Sequence, residues 1–536
     1  MKRMDVSEQR DAAMQPDATG QRGAFAKPSG AEEEQRAMLR RPFLGALDEN
    51  AANVDRLLER SVDLIKRPFV VQKEKGIHAC VYYTDGLARA DEIETMLTSL
   101  LSFTDELLRE RETLSAEELL ERLLLNYSAR EARTTEDGIE AILSGDALLL
   151  VDGTPAGLIV GTRGWQMRAI SEPATEPVVR GPRDGFTENL RTNTAIVRRR
   201  IRDPNLRIDG MQIGTRSKTD VNIAYLKGVV KEGLVEEVKR RLERIRIDAV
   251  LESGYIEELI EDAPRTLFVT IQSTERPDKV AAAILEGRVA VFVDNTPFVL
   301  IMPTFFWQYM QASDDYYARY WVGSFFRIIR YISFVLSLTL TPVYVMLVSF
   351  HHEMIPTSLA LTIASGRAVV PFPVLLEALL MEIAFELMRE AGLRMPKPIG
   401  QAVSIVGSLI IGQAAVQAGL VSPFMVIIVA VTGIASFAIP SYAASFSIRL
   451  LRFPLLVAAG TLGLLGFAVV FFAFIIHALS LRSFGESYLA PASPFRPQDQ
   501  KDIILRLPWW SVEQRPSFAQ DERRQAEDTR PEPPTG

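Results

Sequence analysis

Cysteine is almost missing: Cys80 stands alone in 536 residues. One thiol excludes an internal disulfide framework and any cysteine-based zinc site, and it suits a reducing compartment for the soluble part. Histidine is scarce too, with four in the chain. His351-His352-Glu353 lacks the i, i+4 spacing of a helical zinc motif, so it reads as a hydrated loop. There is no Gly-rich phosphate loop and no Ser-His-Asp set. The expectation is therefore no catalytic residue, no cofactor site and no metal site, and an enzyme is disfavoured. Met1 to Gln35 has no apolar core, so no signal peptide is expected. A net charge of −7 argues against a general nucleic-acid binder.

What is present divides in two. The first 300 residues or so are highly charged, whereas residues 328–481 are mostly apolar. Residues 1–45 are polar and predict a disordered tail. Residues 46–172 and 173–303 predict two soluble α/β subdomains, divided near the prolines of 173–182. The evidence for their kinship is an internal repeat. ILSGDALLLVDGTPAGLIV, from Ile142, returns as ILEGRVAVFVDNTPFVLIM, from Ile284. Gly145/Gly287, Asp152/Asp294, Thr154/Thr296, Pro155/Pro297 and Leu158/Leu300 match at a fixed offset. Each copy predicts a helix feeding a β-hairpin through an Asp-Gly or Asp-Asn turn.

In the second subdomain, Asp184 is placed to cap a helix running to Ile201. Arg191, Arg198, Arg199, Arg200 and Arg202 make that helix basic. This suits either an anionic-lipid surface or a solvated face with acidic partners. Thr274 is expected to cap the repeat's second helix. In the helix before it, GYIEELIED, the acidic residues are expected to face outward.

Residues 304–330 are loaded with aromatics and arginines, which suits an interfacial linker at a membrane surface. Residues 331–482 predict a membrane domain. Residues 331–350, 399–421, 424–448 and 453–481 are long and apolar enough to span. The stretch 356–390 is broken by Pro371 and Pro373, so the count is four, or five if it crosses. Arg449 and Arg452 read as a loop on the soluble-domain side. Residues 483–536 form a Pro-rich, polar C-terminal tail expected to be disordered beyond IILRLPWW, and its side depends on the span count.

Within the membrane part, Glu377, Glu382 and Glu386 stand beside an uncharged, small-residue helix. Acidic residues there suggest an ion or solute path. They suit an acidic vestibule, or subunit contacts. On the 399–421 helix, Gly400, Ser404, Gly407 and Ser408 form a face for close helix packing. Val406, Leu409, Gln413 and Gln417 lie on another stripe. A ring of Leu or Val can close a pore by dewetting, and Gln can solvate an ion. That stripe suits a pore with Leu409 at its constriction, or plain packing against neighbours or lipid.

The chain resembles the A subunit of GerA-type spore germinant receptors. The resemblance rests on GFTENLRTNTAIVRRRIRDPNL, ESGYIEELIED, TERPDKVAAAILEGRVAVFVDNTPFVLIMP, DDYYARYW, PFPVLLEALLMEIAFELMREAG and PIGQAVSIVGSLIIGQAAVQAG, and it covers about residues 50–490. It departs from the family in a longer N-terminal tail and in a loop before TERPD that lacks Ser-Pro-Phe-Pro. The resemblance implies an α+β cytosolic domain of two related subdomains followed by an α-helical polytopic membrane domain. It implies a place in the endospore inner membrane, with the N-terminal domain on the spore-core side. It also implies a homo-oligomer that forms a gated ion channel, in contact with membrane lipid, a transporter-like B subunit and a lipoprotein C subunit. The alternatives are a stage V sporulation paralogue of F type, forming an amplifying channel, and a non-conducting scaffold. A secondary transporter would predict inverted repeats in the membrane part, and none is evident.

Overall fold

The computed structural model describes residues 30–59, 61–72, 77–107, 128–164, 172–173, 175–395, 412–521 and 523–524. The fold begins before residue 45. Helix α1 (Gly30–Leu39) and helix α2 (Leu47–Leu58) lead into the first sheet. Met38 and Phe43 are buried in its core. The disordered tail expected over 1–45 therefore gives way to packed structure within the described part, because those two side chains have an apolar site to fill.

The first sheet holds β1 (Leu64–Gln72), β2 (Ile77–Thr84), β3 (Ala129–Ala132), β4 (Ala147–Val151) and β5 (Gly157–Val160). Its spatial order is β1-β2-β4-β5-β3, all pairs antiparallel. Both faces are covered, which is why the strands read as nearly continuous apolar runs. Cys80, Tyr82, Leu148, Leu150 and Ile159 face α2 and α4 (Thr135–Leu143). The alternate residues Val81, Tyr83, Leu149 and Leu158 face α3 (Ala90–Leu107). Burial pushes the Cys80 thiol up to about 11, so it packs as a small apolar group and is not a reactive thiolate.

The second sheet repeats the first. Helix α5 (Leu190–Arg200) precedes β6 (Leu206–Ile213) and β7 (Thr219–Leu226). Then come α6 (Leu234–Glu243), α7 (Ser253–Ile260), β8 (Gln272–Thr274), α8 (Pro277–Leu285), β9 (Val289–Val293) and β10 (Val299–Met302). The order β6-β7-β9-β10-β8 is the same winding. The repeated aspartates do the same job in both copies. Asp152 accepts the backbone N–H of Leu47, at the start of α2, at 3.2 Å, and Asp294 accepts that of Leu190, at the start of α5, at 3.1 Å. A carboxylate there satisfies an orphan donor and meets the positive end of the helix. The residue after each aspartate takes the left-handed conformation, Gly153 at φ 83° and Asn295 at φ 69°. Glycine and asparagine are the residues that tolerate it.

Local details differ from the sequence expectation. Asn189, not Asp184, caps α5, accepting from the Thr192 N–H at 2.9 Å. Asp184 instead pairs with Arg199 at 3.3 Å and Arg200 at 2.7 Å. Thr274 lies in β8, where its hydroxyl accepts the Arg276 N–H at 3.1 Å; Pro277 opens the helix. The basic helix is not an open anion surface. Arg198 is fully buried and grips Asp63 of the first subdomain through two bonds, Nε–Oδ2 at 2.8 Å and Nη2–Oδ1 at 2.9 Å. Ser61 and the Leu206 carbonyl complete its shell. This pair joins the two subdomains.

After β10 the chain makes a short 3-10 turn (Phe306–Met310) and α9 (Ser313–Tyr317), then enters α10 (Tyr320–Phe350). The helical region continues with α11 (Thr357–Arg367), α12 (Val374–Arg394), α13 (Pro423–Phe437) and α14 (Tyr442–Ser480). Helix α14 is broken at Gly463, with φ 63° and ψ −141°. The chain folds back there: a methyl added at Gly466 would sit 2.2 Å from the Ala458 carbonyl oxygen. The His351 Nε2 accepts the Leu464 N–H freed by the break, at 3.2 Å. Residues 442–462 and 464–480 are thus antiparallel arms. Among the described residues, α10 and α14, taken as continuous elements, are the two helices long and apolar enough to cross a membrane.

The C-terminal segment is folded back onto the soluble domain. Phe484 enters the core of the second sheet among Val238, Ile256 and Val291. Ser483 Oγ donates to the Thr270 carbonyl at 2.7 Å, Lys231 pairs with Glu486 at 2.5 Å, and the Gln520 N–H reaches the Val229 carbonyl at 2.9 Å. Over residues 511–521 this packed structure replaces the disorder expected beyond IILRLPWW.

Two predictions follow from the soluble fold. Removing Asp63 leaves Arg198 buried and uncompensated, so Asp63→Ala should cost about 3–5 kcal/mol; chemical denaturation of the purified chain measures it. Glu257 on α7 is half-buried, and burial with Glu261 and Glu252 nearby pushes its carboxyl up to about 7, above its ordinary 4.5. The folded state holds that proton longer, so stability declines as pH rises from 4.5 to about 7. Glu257→Gln should melt higher than wild type at pH 8, with the difference vanishing toward pH 4.

Candidate functional site: paired charges inside the helical bundle

Helix α12 carries the acidic residues through the bundle. Its Glu377 end lies with Tyr344, Ile363, Val374 and Val421, the end remote from the soluble domain. Its Arg389 end lines a cavity shared with Arg276 and Asp314 of the soluble part. Glu382 and Glu386 are four residues apart and share a face, as do Arg449 and Arg452, three apart on α14. The two faces meet. Arg452 Nη2 lies 2.9 Å from Glu382 Oε2, each residue 1 % exposed. Arg449 Nη1 meets Glu386 at 2.5 Å, and Arg452 is 3.7 Å from the same carboxylate. Thr341 of α10 donates to Glu382 at 2.9 Å. Ions withdrawn from water are held by partners or lost.

Glu377 has a separate task. One of its oxygens accepts both the N–H and the hydroxyl of Ser422 at 2.6 Å. Ser422 caps α13, so the carboxylate sits at the positive end of that helix. Arg367 approaches its other oxygen at 3.4 Å.

The open acidic vestibule expected from Glu377, Glu382 and Glu386 is therefore not what this chain displays: two are locked by arginines and one by a helix cap. Nor do Arg449 and Arg452 mark a loop. They are helical and buried, and the actual turn is at 438–441. Local hydropathy places a loop wherever charge interrupts an apolar run, and it cannot see a partner some sixty residues away. The signal available was the matched spacing of two acids and two bases within apolar helices.

Of the pore stripe, Val406 and Leu409 lie outside the described residues, as do Gly400, Ser404, Gly407 and Ser408. Gln413 and Gln417 fall on a helical stretch, 412–417, and both are exposed. The stretch ends against Val369, at the remote end of the bundle.

A second charged node ties the bundle to the soluble domain, and sequence reasoning missed it. Arg327 near the start of α10 is fully buried. It contacts Asp315 at 3.2 Å, Asp502 Oδ1 at 2.8 Å and the Asp502 carbonyl at 2.7 Å. Arg330 adds a 2.7 Å bond to Asp315, and the Tyr316 hydroxyl donates to Asp502 at 2.5 Å. Ser324 and Tyr331, on the same helix face, bond the carbonyls of Arg506 and Ile503 at 3.0 Å. Within the segment expected to be an interfacial linker, 304–330, Asp315 and Arg327 are buried in this node, while Arg319, Trp321, Phe325 and Phe326 are exposed.

These features define a two-part protein: a duplicated α/β domain, clamped by its own C-terminal segment to a helical bundle whose charges are paired internally. Residues 52–518 match the family model described as the Bacillus/Clostridium GerA spore germination protein. The chain belongs to that family, the A subunits of germinant receptors in spore germination. It is 44 % identical over 504 residues to spore germination protein KA of Bacillus subtilis (strain 168), covering 94 % of this chain and 92 % of that one. It is 44 % identical over 479 residues to the uncharacterized membrane protein YfkQ of the same strain, covering 89 % and 92 %. Among solved structures, the N-terminal domain of the A subunit of the Bacillus megaterium spore germinant receptor GerK3 is 35 % identical, with a TM-score of 0.40, covering 50 % of this chain and 98 % of that one.

Arg452→Leu strips Glu382 of its cation, and a loss of about 3–5 kcal/mol is expected. The double replacement Glu382→Leu/Arg452→Leu should recover most of it. Thermal melting of the detergent-purified chain distinguishes the two.

Proposed function

We propose that this chain is the A subunit of a nutrient-responsive germinant receptor, oligomerising in the endospore inner membrane to form a gated ion channel. The soluble domain and the C-terminal segment both lie on the spore-core side. That side is supported by the docking of the segment onto the soluble domain, which requires an even number of crossings. The passes alternate. Among the described residues, outward ones are Tyr320–Phe350 and residues 442–462; inward ones are Val374–Arg394, Pro423–Phe437 and residues 464–480. The break at Gly463 turns one apolar run into two arms, and 374–394 crosses with its charges paired.

The observation that carries the channel reading is the exposure of Gln413 and Gln417 while the bundle's glutamates are neutralised. An uncharged run with amides facing away from its own bundle suits a path formed where copies meet. The transporter-like B subunit and the lipoprotein C subunit are the partners this role implies, with the nutrient sensed by B. The relative named as a membrane protein supports the location.

The test is ion flux from full-length protein in liposomes. Leu409→Ser should raise basal flux about tenfold by removing the dewetted closure. No flux from wild type or variant, with correctly inserted protein, would leave the scaffold reading standing.

A further inference from the structure

A cavity of about 340 Å³ lies where the soluble domain meets the near end of the bundle. Arg276, Lys279 and Arg389 line it, with Ser436, Phe437 and Tyr442 opposite. Its charges are unevenly matched. Lys279 is held by Glu176 at 2.5 Å. Asp314 is engaged by the Arg180 N–H at 3.3 Å. Arg276 is 1 % exposed and pairs with Asp278, yet its Nε has no acceptor among the described residues. Arg389 lies over the Phe437 ring at 4.4 Å, and its buried Nη1 also lacks an acceptor among the described residues. Behind it, Glu382 and Glu386 are already taken by Arg452 and Arg449. Three guanidinium groups thus share two carboxylates at this end of the bundle; among the described residues Arg389 is the one without an ion pair, while Arg452 keeps its ion pair but makes no hydrogen bond.

The surroundings of Arg389 are amphipathic. On its own helix, Ile383 and Leu387 are exposed at 51 % and 66 %; on the neighbouring α13, Ile434 and Phe437 are exposed at 71 % and 61 %. Ile434 and Phe437, three apart on one face of α13, form a short apolar track beside the cation, whereas Ile383 and Leu387 lie on a different face of α12. A charged socket at one end of such a track matches a headgroup phosphate with acyl chains beneath it. A guanidinium offers paired donors to phosphate oxygens.

We propose that this junction binds the phosphate of an anionic phospholipid, with Arg389 as its principal contact and Arg276 bordering the site. The inference rests on the membrane reading above. A lipid seated here touches both the soluble domain and the bundle, so it stiffens their junction.

The test uses full-length chain purified in detergent and mixed with phosphatidylglycerol or phosphatidylcholine, with bound lipid counted by native mass spectrometry. Wild type should retain one phosphatidylglycerol in preference to phosphatidylcholine. Arg389→Gln should lower that retention at least fivefold, and Arg389→Lys should fall between, because it keeps charge but loses the fork. Arg394→Gln is the control, since Arg394 is exposed and pairs with Glu390 at 2.6 Å. It should behave as wild type. Melting and gel filtration of Arg389→Lys show that the fold survives. Equal retention by Arg389→Gln, or equal loss by Arg394→Gln, overturns the site. Displacement of the lipid by millimolar inorganic phosphate marks a small-anion site and overturns the lipid. Release of wild type from membranes by an alkaline wash overturns the membrane reading itself, a result separable from the others.

Discussion

Arg327 cannot be buried without its two aspartates, and everything around the junction depends on that. Asp315 comes from the short helix after the soluble domain and Asp502 from the far end of the chain. Removing an ion from water costs several kcal/mol, so the guanidinium organises what surrounds it. It draws residues 502–506 along the base of α10. The same helix then runs the length of the bundle to His351, which holds the fold-back at Gly463. The soluble domain, the first long helix and the last one are thereby fastened at a shared point.

That fastening gives the molecule a route for mechanical coupling. Phe484 and Ser483 are built into the second sheet, directly after α14 ends. A tilt of the soluble domain must move the feet of both α10 and α14. Arg449 and Arg452 then carry α14 against α12 through Glu386 and Glu382. The chain of contacts is contiguous, which gives a physical route for coupling the soluble domain to the bundle. The repeated Asp152 and Asp294 turns keep each α/β unit stiff by anchoring a helix start to a hairpin, so motion is left to the junction.

Much of this was legible in advance, and for identifiable reasons. The duplication was visible because the turn needs Asp followed by a residue tolerant of positive φ, and that demand recurs at Gly153 and Asn295. The sheets were visible because both faces are covered and the strands are apolar throughout. The charged partners were not legible. Arg198 looked like one member of a basic stripe, and nothing nearby in the chain announces Asp63. Arg449 and Arg452 looked like a loop for the same reason. The chain beyond IILRLPWW looked disordered because it is polar and Pro-rich, yet Phe518 and Ala519 are buried, Ala519 in the core of the soluble domain.

By itself the sequence determined the division into a charged half and an apolar half, the two related α/β units, and membership of a spore germination family. Those properties reside in composition, local periodicity and long motif matches, which are local along the chain. Only the tertiary structure decided which acids meet which bases, where the apolar runs turn back, and that the C-terminal segment comes to rest on the soluble domain. Those depend on contacts between residues tens to hundreds of positions apart. The energy of burying a charge is set by the partner that arrives, not by its neighbours in sequence.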